Sequence, residues 1–294
     1  MTQNNNFSVL PFYSSIEEQN HRKSYAYGNI YPLFTPKDRL LPFQIITDSV
    51  FVGDVAVTLQ ITSAMLYKKT GEFVADITQG INETGLEVAS FPTFGYDIIV
   101  YPGNFPLPIV MLPGMYYIVL SDGTRNWYSD IFTMVNEIGG YLKIEWYDVE
   151  NLVFDAGQIV YKNPGFRNIL YLLTELGKPE YVFEEEGENR DGYFFAEKQI
   201  SEKTYKFTAL APEYLCDVMR FIRMSDYVLI TDKYGRKYDC DTFLITPKWE
   251  TQGDIASVEC EFQTATVVKK IGQGATIITG GDFNNDFNND FNNQ

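Results

Sequence analysis

Residues 113–132 have the sequence PGMYYIVLSDGTRNWYSDIF, and this stretch decides the fold class. Its first half, Met115 to Leu120, is rich in aromatic and β-branched residues, which favour strands. The Asp122-Gly123 pair that follows suits a tight hairpin turn, because these residues accept backbone angles that most others avoid. Trp127 to Val135 then supplies the returning strand. The stretch therefore predicts an antiparallel β-hairpin in a mainly β chain.

Similar signals recur earlier in the chain. In Val55 to Thr62 the odd positions are large and apolar, which predicts a half-buried strand. Tyr67 to Phe73 predicts a hairpin turn, and Asp97 to Tyr101 predicts a further strand. Regularly spaced strands of this kind predict a β-sandwich over residues 42–136. Residues 113–132 resemble the last hairpin of immunoglobulin-like or fibronectin-type-III-like modules, which implies a sandwich of that type.

A second β module is predicted at residues 141–271. Asn136 to Gly140 is the candidate linker, because its glycine pair interrupts the strand patterns on both sides. Tyr227 to Ile245 predicts a hairpin, and residues 212–224 predict one helix that covers the second sheet. Its apolar stripe is Leu215, Val218, Met219 and Ile222. Alternating strand residues are Leu142, Ile144 and Trp146; Tyr205, Phe207 and Ala209; and Val258, Cys260 and Phe262.

The segment from Glu184 to Asp191 is strongly acidic. Clustered carboxylates are the ligands that calcium prefers, so a cation site is one interpretation. The spacing lacks the ligand order of a calcium loop, and dense like charges normally stay in water. The sequence therefore favours a solvated loop and no metal site.

Residues 1–41 predict an extended N-terminal arm, because prolines interrupt the segment and no periodicity is sustained. The arm is rich in aromatic residues, which are poorly tolerated in free solution. We expect it to pack either on neighbouring subunits or on its own body. The residues predicted to contact another subunit are Phe12, Tyr13, Tyr25, Tyr27 and Tyr31.

The C-terminal segment, residues 272–294, ends in a repeated Asp-Phe-Asn-Asn pattern. Low complexity this strict predicts a disordered tail. The alternative is a short linear motif that docks into a partner through phenylalanines spaced four residues apart. Those residues are Phe283, Phe287 and Phe291.

The composition favours binding over catalysis. The chain has one histidine, His21, beside 21 tyrosines and 22 phenylalanines. Imidazole supplies much acid–base chemistry near neutral pH, whereas aromatic rings supply packing and interface energy. Common nucleophile, zinc, phosphate and redox motifs do not occur in the sequence. We therefore expect no enzyme and no cofactor.

Charge, cysteine content and the absence of targeting signals indicate which partners and which compartment to expect. With 39 acidic and 23 basic residues the net charge is -16, which disfavours nucleic acid as a partner. Three widely spaced cysteines favour reduced thiols over a disulfide framework. No signal peptide or membrane-spanning run is apparent, so we expect synthesis in the cytoplasm and no membrane insertion.

Carbohydrate binding is the main alternative function. Trp127 and Trp146 are the candidate glycan-stacking residues, since aromatic rings on a β scaffold form platforms for sugars. Aromatic residues at strand positions are also common in cores and in cross-strand pairs. The sequence leaves both interpretations open, with a host surface glycan as the ligand of the first.

The arrangement of arm, two β modules and polar tail resembles virion structural proteins of tailed bacteriophages. In particular, Phe12 to Gly28 and Leu40 to Ile45 resemble the opening of proteins from phages and prophages of Bacteroides-like gut bacteria. This resemblance implies a tail, baseplate or fibre-attachment component located in the virion. It also implies homo-oligomers and contacts with other virion proteins through arms and sheet edges.

Overall fold

The computed structural model describes residues 7–19, 33–103, 111–153, 159–162, 166–250, 255–264 and 268–271. The fold is mainly β, as predicted, with several antiparallel sheets and little helix. By internal contacts the chain divides into unit 1, residues 1–179 and 205–265, and unit 2, residues 180–204 and 266–294. Tyr25, Tyr27, Tyr31 and the tail from residue 272 lie outside the described residues.

Strands β1 to β12 lie before residue 136. Helical residues occur among them at 16–19, in the α-helix α1 (Thr78–Glu83) and in a 3₁₀ turn at Pro92–Phe94. The strands are β1 Phe12–Tyr13, β2 Leu33–Pro36, β3 Phe43–Asp48, β4 Val50–Val52, β5 Val55–Val57, β6 Ser63–Lys68, β7 Phe73–Asp76, β8 Glu87–Phe91, β9 Tyr96–Tyr101, β10 Gly114–Ser121, β11 Asn126–Ser129 and β12 Phe132–Val135.

The remaining elements follow residue 140. The α-helix α2 (Glu213–Met219) continues into a 3₁₀ turn at Arg220–Met224. The strands are β13 Leu142–Tyr147, β14 Leu152–Val153, β15 Ile159–Tyr161, β16 Asn168–Leu172, β17 Glu180–Arg190, β18 Tyr193–Pro212, β19 Tyr227–Thr231, β20 Lys237–Lys248, β21 Ile255–Thr264 and β22 Val268–Ile271.

Among the described residues, unit 1 contains three larger sheets and the two-stranded pairs β4-β5 and β14-β15. The first has the order β1-β11-β10-β12-β2, with β6 on the other side of β10 and β7 beyond β6. The second has the order β3-β9-β8, and the third contains β16-β13-β19-β20-β21 and the end of β18. The predicted hairpins at residues 67–73, 113–129 and 227–245 are confirmed. The return strand predicted from Trp127 to Val135 is two strands, β11 and β12, separated by the buried Asp130 and Ile131.

One hydrophobic core joins these sheets. Leu66 and Ile118 from the first sheet, Phe43 from the second and Trp146 and Phe243 from the third belong to a single cluster of buried side chains. The predicted boundary at residues 136–140 therefore lies inside unit 1. Residues on the two sides of this boundary pack against each other, since the rings of Phe34 and Tyr141 lie 4.8 Å apart. This packing explains why the boundary does not separate two units.

Strand β9 is buried on both faces. Ile99 and Tyr101 point into the main core, whereas Tyr96, Ile98 and Val100 belong to a second cluster with β15 and Phe221. Successive side chains of a strand point to opposite faces, so a strand buried on both sides is apolar throughout. This explains why the strand predicted at residues 97–101 has almost no polar positions.

The predicted helix is confirmed, although its regular part is short. Pro212 occupies the N-cap position with extended backbone angles, and Glu213 lies in the first turn, where the helix dipole favours a negative charge. The predicted apolar stripe is buried throughout. Met219 is therefore a core residue.

Two aspartates fix the tight hairpin turns. The Asp122 carboxylate accepts hydrogen bonds from the backbone nitrogens of Thr124 at 2.8 Å and Arg125 at 2.6 Å. Asp232 accepts in the same way from the backbone nitrogen of Arg236 at 3.0 Å. Burial raises the pKa of both carboxyl groups, but these hydrogen bonds outweigh it and hold each pKa below its usual value.

Two sequence predictions are wrong. Val55 to Thr62 is not one half-buried strand, because β5 ends at Val57 and pairs with β4 as an exposed hairpin. Glu184 to Asp191 is not a loop, because β17 continues to Arg190 and pairs with β18. Residues 184–189 of this segment are nevertheless exposed to solvent, as predicted.

Candidate interaction surfaces

The described part of the N-terminal arm lies on its own body. Phe12 is 2% exposed, and its ring lies 4.6 Å from that of Phe43. Tyr13 is partly exposed beside it, and β1 pairs with β11. Of the predicted subunit contacts, Phe12 thus lies in the core of this chain. Outside the described residues are Tyr25, Tyr27, Tyr31, Phe283, Phe287 and Phe291.

The two candidate glycan-stacking tryptophans are buried. Trp146 has no exposed surface, and Trp127 is 6% exposed with the Arg125 guanidinium 5.1 Å from its ring. Neither offers an open ring face to a sugar. Trp249 is the exposed tryptophan, at 46%.

The side chains that the β4–β5 hairpin exposes to solvent are mostly apolar. Phe51 and Val57 are nearly half exposed, and Val52 and Val55 are about two thirds exposed. The turn at Gly53 has a φ of 64°, which glycine adopts without strain. A Gly-Asp pair between valine-rich runs is a hairpin signal that sequence reasoning missed. Exposed apolar residues grouped in this way are typical of protein interaction sites.

The long hairpin of unit 2 is formed by β17 and residues 193–204 of β18. Its strands pair from Glu180 opposite Thr204 to Arg190 opposite Tyr193, with one bulge after Glu186. Asp191 and Gly192 form the turn, with φ angles of 52° and 84°. Positive φ at both turn positions is the geometry that an Asp-Gly pair favours in hairpins. This pair is the signal by which the hairpin was predictable.

Aromatic and charged side chains are both exposed on this hairpin. Tyr181 and Phe183 are 58% and 68% exposed, and Tyr193 at the turn is 73% exposed. Lys198 pairs with Glu186 at 3.3 Å across the two strands. Strand β17 also carries Glu180, Glu184, Glu185 and Glu188.

A shallow groove of about 430 Å³ crosses the first sheet. The rings of Tyr67 and Tyr117 stack there at 5.4 Å between centroids. Burial raises the pKa of Tyr117, and the neighbouring Tyr67 and Tyr128 hydroxyls raise it further. The described residues that line the groove are uncharged: Ile16, Ser63, Met65, Tyr67, Tyr117, Val119, Ser121, Asn126 and Tyr128.

The three cysteines are unpaired thiols with weak nucleophilic character. Burial raises the pKa of Cys216 to about 11 and the pKa values of Cys240 and Cys260 to about 12. The thiolate is the reactive form, so thiols with such high pKa values react poorly near neutral pH. Among the described residues, no three His, Cys, Asp or Glu side chains are grouped closely enough to hold a metal ion.

No known family matches this chain. Comparison with protein-family models gave no match, and neither did comparison with curated proteins or with solved structures. In the part of the chain that the structure describes, none of the helices has the length and apolar character needed to cross a membrane.

Proposed function

We propose that this chain is a non-enzymatic structural component of a phage particle, acting in the tail, baseplate or fibre attachment through protein–protein contacts. The observation that carries the proposal is the apolar β4–β5 hairpin, whose Phe51, Val52, Val55 and Val57 are exposed. Placing such side chains against a neighbouring subunit removes their apolar surface from water. The resemblance of Phe12 to Gly28 to phage proteins supports the choice of particle.

The finer fold assignment belongs to the same proposal. Strands β6, β10 and β11 share a core with β3 and β9, which supports an immunoglobulin-like or fibronectin-type-III-like sandwich for residues 42–136. Modules of that kind present their edges and end loops to partners. We expect the chain to form homo-oligomers and to contact other virion proteins.

Particle incorporation tests the proposed function. We expect mass spectrometry to detect this chain in gradient-purified particles of the phage that encodes it. Changing Phe51, Val52, Val55 and Val57 to serine should lower its incorporation at least about tenfold, because a few apolar anchors supply most of an interface's energy.

A matched control uses four exposed apolar residues outside the hairpin. Phe94, Leu112, Leu173 and Met224 are 61% to 75% exposed, so changing them to serine removes comparable exposed apolar groups. We expect normal incorporation of that variant. A particle that lacks the chain, or equal incorporation of both variants, contradicts the assembly role of the hairpin.

The tyrosine groove favours carbohydrate binding as a second candidate function. Stacked aromatic rings beside the hydroxyl and amide groups of Ser63, Ser121 and Asn126 offer both an apolar platform and hydrogen-bonding groups. The candidate residues are therefore Tyr67, Tyr117 and Tyr128 in place of the buried Trp127 and Trp146.

A glycan array tests this second function. If the groove binds a host surface glycan, Tyr128→Ala should weaken binding to the retained glycan at least about tenfold. Tyr234→Ala is the matched control, because Tyr234 is 72% exposed and does not line the groove. Absence of any retained glycan, or equal binding by the two variants, contradicts the carbohydrate function.

A further inference from the structure

In the described part of the chain, one edge of β17 has no neighbouring strand. The strand pairs with β18 from Glu180 to Arg190, and among the described residues nothing pairs with its other edge. By contrast, β18 is paired on both sides at residues 198–201, where β22 adds to it. All side chains from Glu180 to Asn189 are exposed. Eleven residues of strand span roughly 35 Å, which is ample for the addition of another strand.

The two faces of β17 differ in chemistry. Alternate residues of a strand point to the same face, so Glu180, Glu184, Glu186 and Glu188 share one face with Val182. The other face carries Tyr181 and Phe183, both more than half exposed, and then Glu185. An added strand therefore meets mainly carboxylates on one face and, near Glu180, aromatic rings on the other.

The charges argue against a second copy of β17 as the added strand. In antiparallel self-pairing about Phe183, Glu180 lies opposite Glu186. Pairing about Glu184 places that residue opposite its own copy, and pairing about Glu185 places Glu184 opposite Glu186. Like charges directly opposite each other destabilise a sheet. Lysine or arginine in the added strand, at the positions opposite these glutamates, would attract them instead.

We propose that the open edge of β17 accepts an extended segment of a partner protein as an added strand, and that this segment carries lysine or arginine at alternate positions. Apolar residues between the basic ones would contact Tyr181 and Phe183. Main-chain hydrogen bonds supply affinity in this mode of recognition, and alternate side chains supply specificity. The inference rests on the proposed function and names the chemistry of one partner.

The opposing explanation is that the glutamates only prevent association. Charged residues on edge strands are a common protection against unwanted sheet extension. That explanation predicts that no peptide adds to the edge, whatever its charge pattern. The two explanations therefore differ in a direct binding measurement.

Peptide binding to the full chain tests the proposal. The probe is a fluorescent peptide of about nine residues in which lysine and valine alternate, and binding is followed by anisotropy. A peptide of the same composition with its lysines contiguous is the control for non-specific attraction. We expect the alternating peptide to bind at least about tenfold more tightly, because only its lysines all reach the acidic face.

Charge-reversal variants locate the binding site. Glu184→Lys combined with Glu186→Lys should weaken binding of the alternating peptide at least about tenfold. The matched control is Asp54→Lys combined with Glu137→Lys, which changes the net charge equally at exposed positions of unit 1. This control should bind as the unchanged protein does, apart from a small change that salt screens.

Hydrogen exchange shows whether a strand is added. The amides of residues 180–190 should become protected when the alternating peptide binds. Equal binding of the two peptides, equal effects of the two variant pairs or unchanged exchange in β17 would each overturn the proposal. A chain missing from phage particles would contradict the proposed function and leave this peptide test unaffected.

Discussion

Phe12→Ala is expected to lower the free energy of unfolding by about 3–5 kcal/mol, the usual cost of deleting a buried aromatic side chain. The Phe12 ring is 2% exposed and contacts Phe43, whose ring in turn lies 5.3 Å from Tyr101. Removing it leaves a cavity between β1 and the second sheet. Urea unfolding followed by tryptophan fluorescence measures the change.

The neighbouring Tyr13→Ala serves as the control. Tyr13 is the adjacent residue of the same short strand, but it is only partly buried. We expect it to cost about 1 kcal/mol or less. A Phe12→Ala protein that keeps its stability and loses only its oligomeric state would show instead that Phe12 contacts another subunit.

Trp146→Ala is expected to have an effect of similar size, about 3–5 kcal/mol. Trp146 has no exposed surface and lies on β13 between Asn168 of β16 and Val228 of β19. Truncation therefore opens a cavity in the core that packs against the third sheet. Trp146→Phe should cost less, because an aromatic ring still fills most of the space.

Trp249→Ala is the matched tryptophan variant. Its side chain is 46% exposed, so the free energy of unfolding should fall by less than about 1 kcal/mol. Chemical denaturation of the three variants under identical conditions makes the comparison. Equal stability of Trp146→Ala and Trp249→Ala would contradict the buried position of Trp146.

Local signals predicted the hairpins and the helix. In residues 113–129 and 227–245 a strand-forming run meets a turn that aspartate and glycine stabilise, and each signal lies within a few residues of the next. The helix from Glu213 was predictable for the same reason, since its proline, its acidic first turn and its apolar stripe are adjacent. Such elements depend little on the rest of the chain.

The organisation into units was not predictable from the same signals. Gly139 and Gly140 interrupt two strand patterns, but glycines also occur in turns inside a domain. Packing of Phe34 on Tyr141 joins residues that are far apart in sequence, and no local pattern announces it. The shared core of unit 1 therefore emerged only from the structure.

Composition alone does not predict the secondary structure of the two interaction surfaces. Four glutamates between Glu184 and Glu188 are typical of a loop, yet each lies on a strand whose partner begins after the Asp191-Gly192 turn. Similarly, the alternation in Val55 to Thr62 predicts one buried face, whereas β5 ends at Val57, pairs with β4 and stays exposed. In both cases pairing with the adjacent strand across a short glycine-containing turn decided the outcome.

The two N-terminal strands, β1 and β2, can join the first sheet only long after they are synthesised. Phe12 pairs with Ser129 and Leu33 pairs with Phe132, so each strand waits for about a hundred further residues. At ordinary translation speeds this delay is on the order of ten seconds. Sheets built from such distant segments also fold slowly once complete. Strands β1 and β2 are thus left without their sheet partners while the intervening residues are synthesised, which makes them natural targets for chaperones.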